Sequence, residues 1–206
     1  MKVTVRNDSV TIDGYVNAIE RNSKPLMSRI GKFIERICKG AFTKAINRNE
    51  EIFIMLNHDW DRILGSTKQG NLTLTEDSIG LRATATITDA EVVEKAKRGD
   101  LVGWSFGFND IDVEQTFEAG YPLRKVKDLD LKEVSILDRS KSPAYEGTLI
   151  TVRSEEDMQF RSEAFMDEVE LVDETREETQ PEQAKPEKID YSKYEEMIAE
   201  MKGETK

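Results

Sequence analysis

The 206-residue chain has one cysteine, one histidine, two tryptophans and five prolines. With Cys38 alone no intrachain disulfide can form, which suits a reducing cytosol. A single histidine, His58, cannot build a zinc site from His and Cys ligands, nor the multi-histidine core of a metal-dependent phosphohydrolase. No apolar run approaches the roughly 20 residues that span a bilayer, and the N-terminal MKVTVRNDSV has no apolar h-region. The sequence therefore predicts a soluble, non-secreted protein with no metal or other cofactor.

Net charge is missing from the first three quarters of the chain. Residues 154–206 hold 18 acidic and 7 basic side chains, against 23 of each before them, so the whole excess of −11 lies in the tail. A neutral folded part argues against nucleic acid as a partner, because phosphate binding needs a basic surface. The Glu-rich tail, with Pro181 and Pro186, buries too little apolar area to offset its chain entropy and is expected to be largely disordered. The expected organisation is a folded domain over residues 1–152 and an acidic tail over 153–206. Within the tail, Ser192 and Glu195 form a capping box, and Tyr194, Met197, Ile198 and Met201 share one face of a short helix over 192–202. At about three turns such a helix is transient in water, or a docking peptide that folds on a partner.

What is present before the tail is mostly period-two patterning. Val3–Arg6 and Val10–Ile19 alternate like strands, with Gly14 as a bulge or close-approach point. Residues 25–49 are mixed and suggest helical or irregular segments around Gly40. Ile52–His58 reads as a buried strand, and Asn71–Thr75 and Gly80–Thr88 as strands joined by the turn EDSIG. Residues 88–99 predict a helix with Thr88 as N-cap, Glu91 completing a capping box, and Gly99 ending it. Leu101–Val113 is a further strand, followed by a Gly-Tyr-Pro turn and two strand-like stretches over Arg124–Leu137. The expected fold class is mainly β with α (α+β), an antiparallel β-barrel or curled sheet with a few helices.

Ser105 lies in Gly103-Trp104-Ser105-Phe106-Gly107, which fits the G-x-S-x-G of α/β-hydrolases. That pattern requires a helix after the serine and the histidine last in chain order. Here the histidine precedes the serine, and FNDIDVEQ alternates like a strand, so this assignment fails. As a strand, the segment puts Leu101, Gly103, Ser105 and Gly107 on one face and Trp104, Phe106 and Phe108 on the other. The serine is then either a nucleophile in a space cleared by glycines for an approaching backbone, or an ordinary residue on a Gly-containing bulge. His58 shares a face with Ile54 and Leu56, as a catalytic base or as a hydrogen-bonded structural residue. Asn57, Asp59 and Asp61 offer a weak oxygen-ligand cation site as a further alternative. Glu133 shares a face with Leu129, Leu131 and Leu137. An unpaired carboxylate there would be costly, so it is either the acid that orients an imidazole or an edge glutamate reaching solvent.

Four segments together resemble the prohead protease family of tailed bacteriophages. They are Lys39-Gly40-Ala41-Phe42; Leu56-Asn57-His58-Asp59 with Leu64-Gly65-Ser66; Gly80-Leu81 with Ser105-Phe106-Gly107-Phe108; and Leu131–Leu137 with Ser142-Pro143-Ala144-Tyr145. The resemblance covers about residues 10–150, and the order and spacing of the segments carry it. It implies a serine endopeptidase with Ser105 as nucleophile and His58 as general base. The family is similar in fold to herpesvirus assemblins, a β-barrel wrapped by helices. Those enzymes use a second histidine on the strand matching Glu133. This chain has none, so the resemblance implies an acid, Glu133, as third member. It also implies Arg139 as the residue assisting the oxyanion. The implied partners are the major capsid protein and scaffold protein of a prohead, the chain itself as substrate, and a homo-oligomer. The implied location is the host cytoplasm and the interior of the immature shell. Two other classes stay open: a non-catalytic capsid-assembly or scaffold protein, and a Ser-His esterase or amidase acting on small substrates.

Overall fold

Period-two patterning becomes strands in the computed structural model, which describes residues 1–28, 31–141, 158–161 and 169–175. The described elements run β1 (Lys2–Val5), β2 (Val10–Ala18), β3 (Leu26–Ser28), β4 (Gly31–Ile37), α1 (Ala41–Arg48), β5 (Phe53–Leu56) and β6 (Ile63–Ser66). They continue as β7 (Leu72–Glu76), β8 (Gly80–Ile87), α2 (Ala90–Lys97), β9 (Leu101–Glu118), β10 (Tyr121–Asp138), β11 (Gln159–Arg161) and β12 (Glu170–Asp173). Within the segment expected to be mixed, Leu26–Ser28 and Gly31–Ile37 are strands, with Phe33, Ile34 and Ile37 buried on β4.

The described strands form two sheets. One has the order β12-β1-β2-β8-β7; the other runs β11-β9-β10-β4-β3, with β5 also paired to β10 and β6 to β5. Most pairs are antiparallel, but β10 pairs in parallel with β4 and β5, and β1 with β12. Among the described residues these pairings trace no closed ring, so the fold is mainly β with two helices, and the expected barrel is not drawn by its hydrogen bonds. Strands β9 and β10, of 18 residues each, form one long hairpin, turned at Ala119 and Gly120, both with positive φ. The two stretches expected over 124–137 are thus one strand interrupted by register shifts. No helix among the described residues is long and apolar enough to cross a membrane.

Both helices are held by groups the sequence pattern did not single out. Asp89, not Thr88, caps α2, accepting from the Val92 amide at 3.0 Å. Gly40, in the left-handed region, begins α1 with no side-chain cap of its own. Glu76 on β7 supplies it, accepting from the Gly40 and Thr43 amides at 2.6 Å each. Phe42 of α1 meets Phe106 edge-on at 5.4 Å, and Phe106 stacks on Phe108 at 5.3 Å, so α1 and β9 share the aromatic core. Gly14 is a point of close approach, since a Cβ there would lie 3.1 Å from Trp104 Nε1; the bulge itself falls between Tyr15 and Asn17.

Two strands lie beyond residue 152, where composition placed the end of the folded domain. β11 pairs antiparallel with β9, and β12 extends the first sheet through β1. Three or four residues can join a sheet edge through main-chain bonds whatever the composition around them. The helix expected over 192–202 lies outside the described residues.

Candidate active site

The site begins with an irregularity in β10. Leu131 pairs with Phe108 and Glu133 with Gly107, so one residue, Lys132, is passed over in the register. Such a bulge exchanges the faces of the strand on either side of it. Leu129 and Leu131 join the core before it, and Val134 and Ile136 after it. Glu133 and Ser135 consequently turn to the opposite face. Strict alternation grouped Glu133 with Leu129 and Leu131; the bulge separates them and leaves Leu137 as its companion.

His58 is turned by a second irregularity. β5 runs parallel to β10, matching Ile54 with Val134 and Leu56 with Ile136, all in the core. Continued alternation would aim His58 inward with them. Instead β5 ends at Leu56, and Asn57 and His58 follow with φ of 57° and 61°. Left-handed backbone costs a non-glycine residue roughly 1–2 kcal/mol. Three bonds to β10 hold it: the Asn57 amide donates to the Ile136 carbonyl at 2.9 Å, the Asp138 amide to Asn57 Oδ1 at 3.1 Å, and the His58 amide to Ser135 Oγ at 3.1 Å.

The turn delivers the imidazole to Glu133. Nδ1 of His58 lies 2.7 Å from Oε1 of Glu133, whose side chain is fully buried. The second carboxylate oxygen accepts the Ser135 hydroxyl, so both oxygens of the buried acid are engaged. A carboxylate on Nδ1 fixes the tautomer with the proton on that nitrogen and leaves Nε2 free to accept. Oxygens of the weak cation cluster are used elsewhere: Asn57 Oδ1 on Asp138, and Asp59 Oδ1 on the Asp61 amide at 3.0 Å.

Ser105 faces the same side from the neighbouring strand. It pairs directly with Ser135, the residue that bonds to both His58 and Glu133, which places the two Cβ atoms about 5 Å apart. Trp104, Phe106 and Phe108 take the core face as alternation predicted, and β9 continues as a strand past the serine, excluding a nucleophile elbow. Ser105 is fully buried, and its hydroxyl donates to the Arg161 carbonyl of β11 at 2.7 Å. Among the described residues it makes no bond to His58. Phe160 of β11 lies edge-on to the His58 ring at 4.6 Å. Sequence reasoning brought His58, Ser105 and Glu133 together but missed Ser135, Phe160 and Arg161. Ser135 was findable, since it stands two residues from Glu133 on one strand.

Arg139 is not brought to this group. Its guanidinium donates to the Gly99 carbonyl at 3.2 Å and lies 3.7 Å from Asp100. It stands just past the end of β10, at the start of a 3-10 turn over Arg139–Lys141. The neighbouring acid is Asp138, buried and bonded to Lys95 at 2.6 Å. Burial opposes its ionisation, but the Lys95 ammonium and the Ser140 and Asn57 bonds outweigh it and hold the carboxyl well below the usual carboxylate range.

Comparison with known proteins gives one match. No curated protein and no solved structure matches the chain. A family model described as caudovirus prohead serine protease matches residues 1–162, a span that contains His58, Ser105, Glu133 and β11. On that match over most of its length, the chain belongs to the caudovirus prohead serine protease family.

Proposed function

We propose that this chain is a serine endopeptidase of prohead maturation in which Ser105 is the nucleophile, His58 the general base and Glu133 the orienting acid. The observation that carries the assignment is the 2.7 Å contact between His58 Nδ1 and the fully buried Glu133, one strand from Ser105 on a shared face. A fully buried carboxylate is expensive unless something compensates it, and an imidazole that becomes positively charged during the reaction is such a partner.

The steps follow from the arrangement. Ser105 Oγ attacks the scissile carbonyl carbon as His58 Nε2 takes its proton, and Glu133 stabilises the resulting imidazolium. The tetrahedral intermediate collapses as the imidazolium gives that proton to the leaving amine, and the peptide C–N bond breaks. Water then enters, loses a proton to Nε2 and attacks the acyl ester; the proton returns to Ser105 Oγ as the acid product leaves. Arg139 takes no part, because its guanidinium is engaged at Gly99 and Asp100. The substrates are scaffold protein or a scaffold-like segment of the capsid protein, and the chain itself, within the immature shell.

The test is mass spectrometry of wild-type and Ser105→Ala chains, each co-expressed with the capsid and scaffold proteins encoded beside it. Truncated partners with wild type and intact ones with the variant are the expected result. Identical cleavage by both would show that Ser105 is not the nucleophile, and intact partners in both would support a non-catalytic assembly role.

A further inference from the structure

We infer that β11 is a resident occupant of the substrate edge of β9, and that its side chains mark two subsites: one for an aromatic residue beside His58, one for a basic residue on Glu35. The inference rests on the serine protease assignment above and adds its substrate chemistry and its control. An endopeptidase binds substrate as an extended strand, and an exposed sheet edge next to the nucleophile is the natural place. Here that edge is already taken, with Phe160 opposite Gly107 and Arg161 opposite Phe106.

The occupant lies on the machinery itself. The Arg161 carbonyl receives the Ser105 hydroxyl, whose proton the reaction must pass to His58. With its oxygen against the hydroxyl, this carbonyl is parked as a hydrogen-bond acceptor and caps the nucleophile. Phe160 stands on the His58 ring and fills the space that Gly107 leaves, since a Cβ at 107 would come within 3.0 Å of the Phe160 ring. Because side chains alternate, Arg161 turns to the other face. There its guanidinium makes two bonds to the buried Glu35, at 2.6 and 2.9 Å, over the rings of Phe33 and Phe108. A cavity of about 30 Å³, lined by Glu35, Asn17, Leu26 and Ile37, adjoins it.

Release is compatible with the rest of the fold. When Arg161 leaves, Glu35 keeps Arg124, whose Nη1 is 3.0 Å from Oε2, so no buried carboxylate is orphaned. A three-residue strand also has few main-chain bonds to lose. The incoming substrate then replaces the aromatic and the basic side chain in turn.

A fluorophosphonate probe, which phosphonylates an activated serine, reads the exposure of Ser105 in the full chain. Arg161→Ala and Phe160→Ala should each label about tenfold faster than wild type or more, because occupancy lowers the competent fraction. Ser105→Ala should not label, and thermal transitions should be retained. The acetylated peptide Met-Gln-Phe-Arg, amidated at its C-terminus, should slow labelling of Arg161→Ala. Replacing its arginine with norleucine should weaken that protection about 30-fold. Equal labelling of wild type and both folded variants would overturn the occupant inference while leaving the protease assignment standing. Loss of the thermal transition in both variants would make β11 a structural strand and overturn it too. Indifference of protection to the arginine would overturn the basic subsite. No labelling of any folded form would sink the protease assignment, and the inference with it.

Discussion

Gly107 and Glu133 are paired so closely across β9 and β10 that a Cβ on residue 107 would lie 2.5 Å from the Glu133 Oε1 that holds His58. The glycine is therefore required by the carboxylate rather than by backbone conformation. Gly107→Ala should push Glu133 off the imidazole and lower kcat about 100-fold, the scale of a 1 Å misplacement at a reacting centre. Steady-state cleavage of a scaffold-derived peptide checks it. An unchanged kcat would mean that Glu133 yields without consequence.

Glu133→Gln removes the charge and keeps the shape. If the acid serves the imidazolium, kcat should fall by about 10³- to 10⁴-fold, the scale known for neutralising a triad carboxylate, with little change in KM. The thermal midpoint should stay level or rise, since the variant no longer desolvates a charge. A falling midpoint with unaltered kcat would make Glu133 a structural residue.

These two residues show how far the sequence could be read. Ser105 and the aromatic face behind it followed from alternation, because β9 is regular there. Glu133 was reached by asking what relieves a buried carboxylate, although the faces were counted wrongly; a one-residue bulge at Lys132 leaves no trace in hydropathy. His58 likewise sat on the wrong face until Asn57 and His58 turned left-handed. Arg139 came from the resemblance, as the arginine soon after the last strand; its guanidinium lies at Gly99 and Asp100, a contact the sequence does not announce. Phe160 and Arg161 were hidden in an acidic segment, since a three-residue strand carries no periodicity to detect.

Asp138 anchors the end of β10 beside the His58 turn, through Lys95, Ser140 and the Asn57 contact. Its carboxyl is held below the usual range in the folded state. The stability this contributes is complete above its unfolded pKa of about 4 and is lost as pH falls through the folded value. Asp138→Asn should therefore cost about 1–3 kcal/mol at pH 7, the worth of hydrogen bonds to a charged group. The gap to wild type should be the same at pH 5 and shrink below about pH 4. Urea midpoints at pH 7, 5 and 3 measure it. A gap that widens on acidification would contradict the depressed carboxyl.

Asn57 tests whether the left-handed turn is what aims His58. Its side chain accepts the Asp138 amide, and its φ is 57°. Asn57→Gly loses that bond but keeps the conformation, whereas Asn57→Ala loses the bond and pays roughly 1–2 kcal/mol for left-handed backbone as well. Alanine should thus be the less stable by about 1 kcal/mol, the reverse of its order with glycine in regular structure. Both should lower kcat, by about tenfold or more, because a looser turn spreads the imidazole over positions away from Ser105. Denaturant midpoints and peptide cleavage rates on the two variants separate the contributions. If alanine proved the more stable and cleavage were unaffected, the turn would be incidental, and the alignment of His58 would have to come from Glu133 alone.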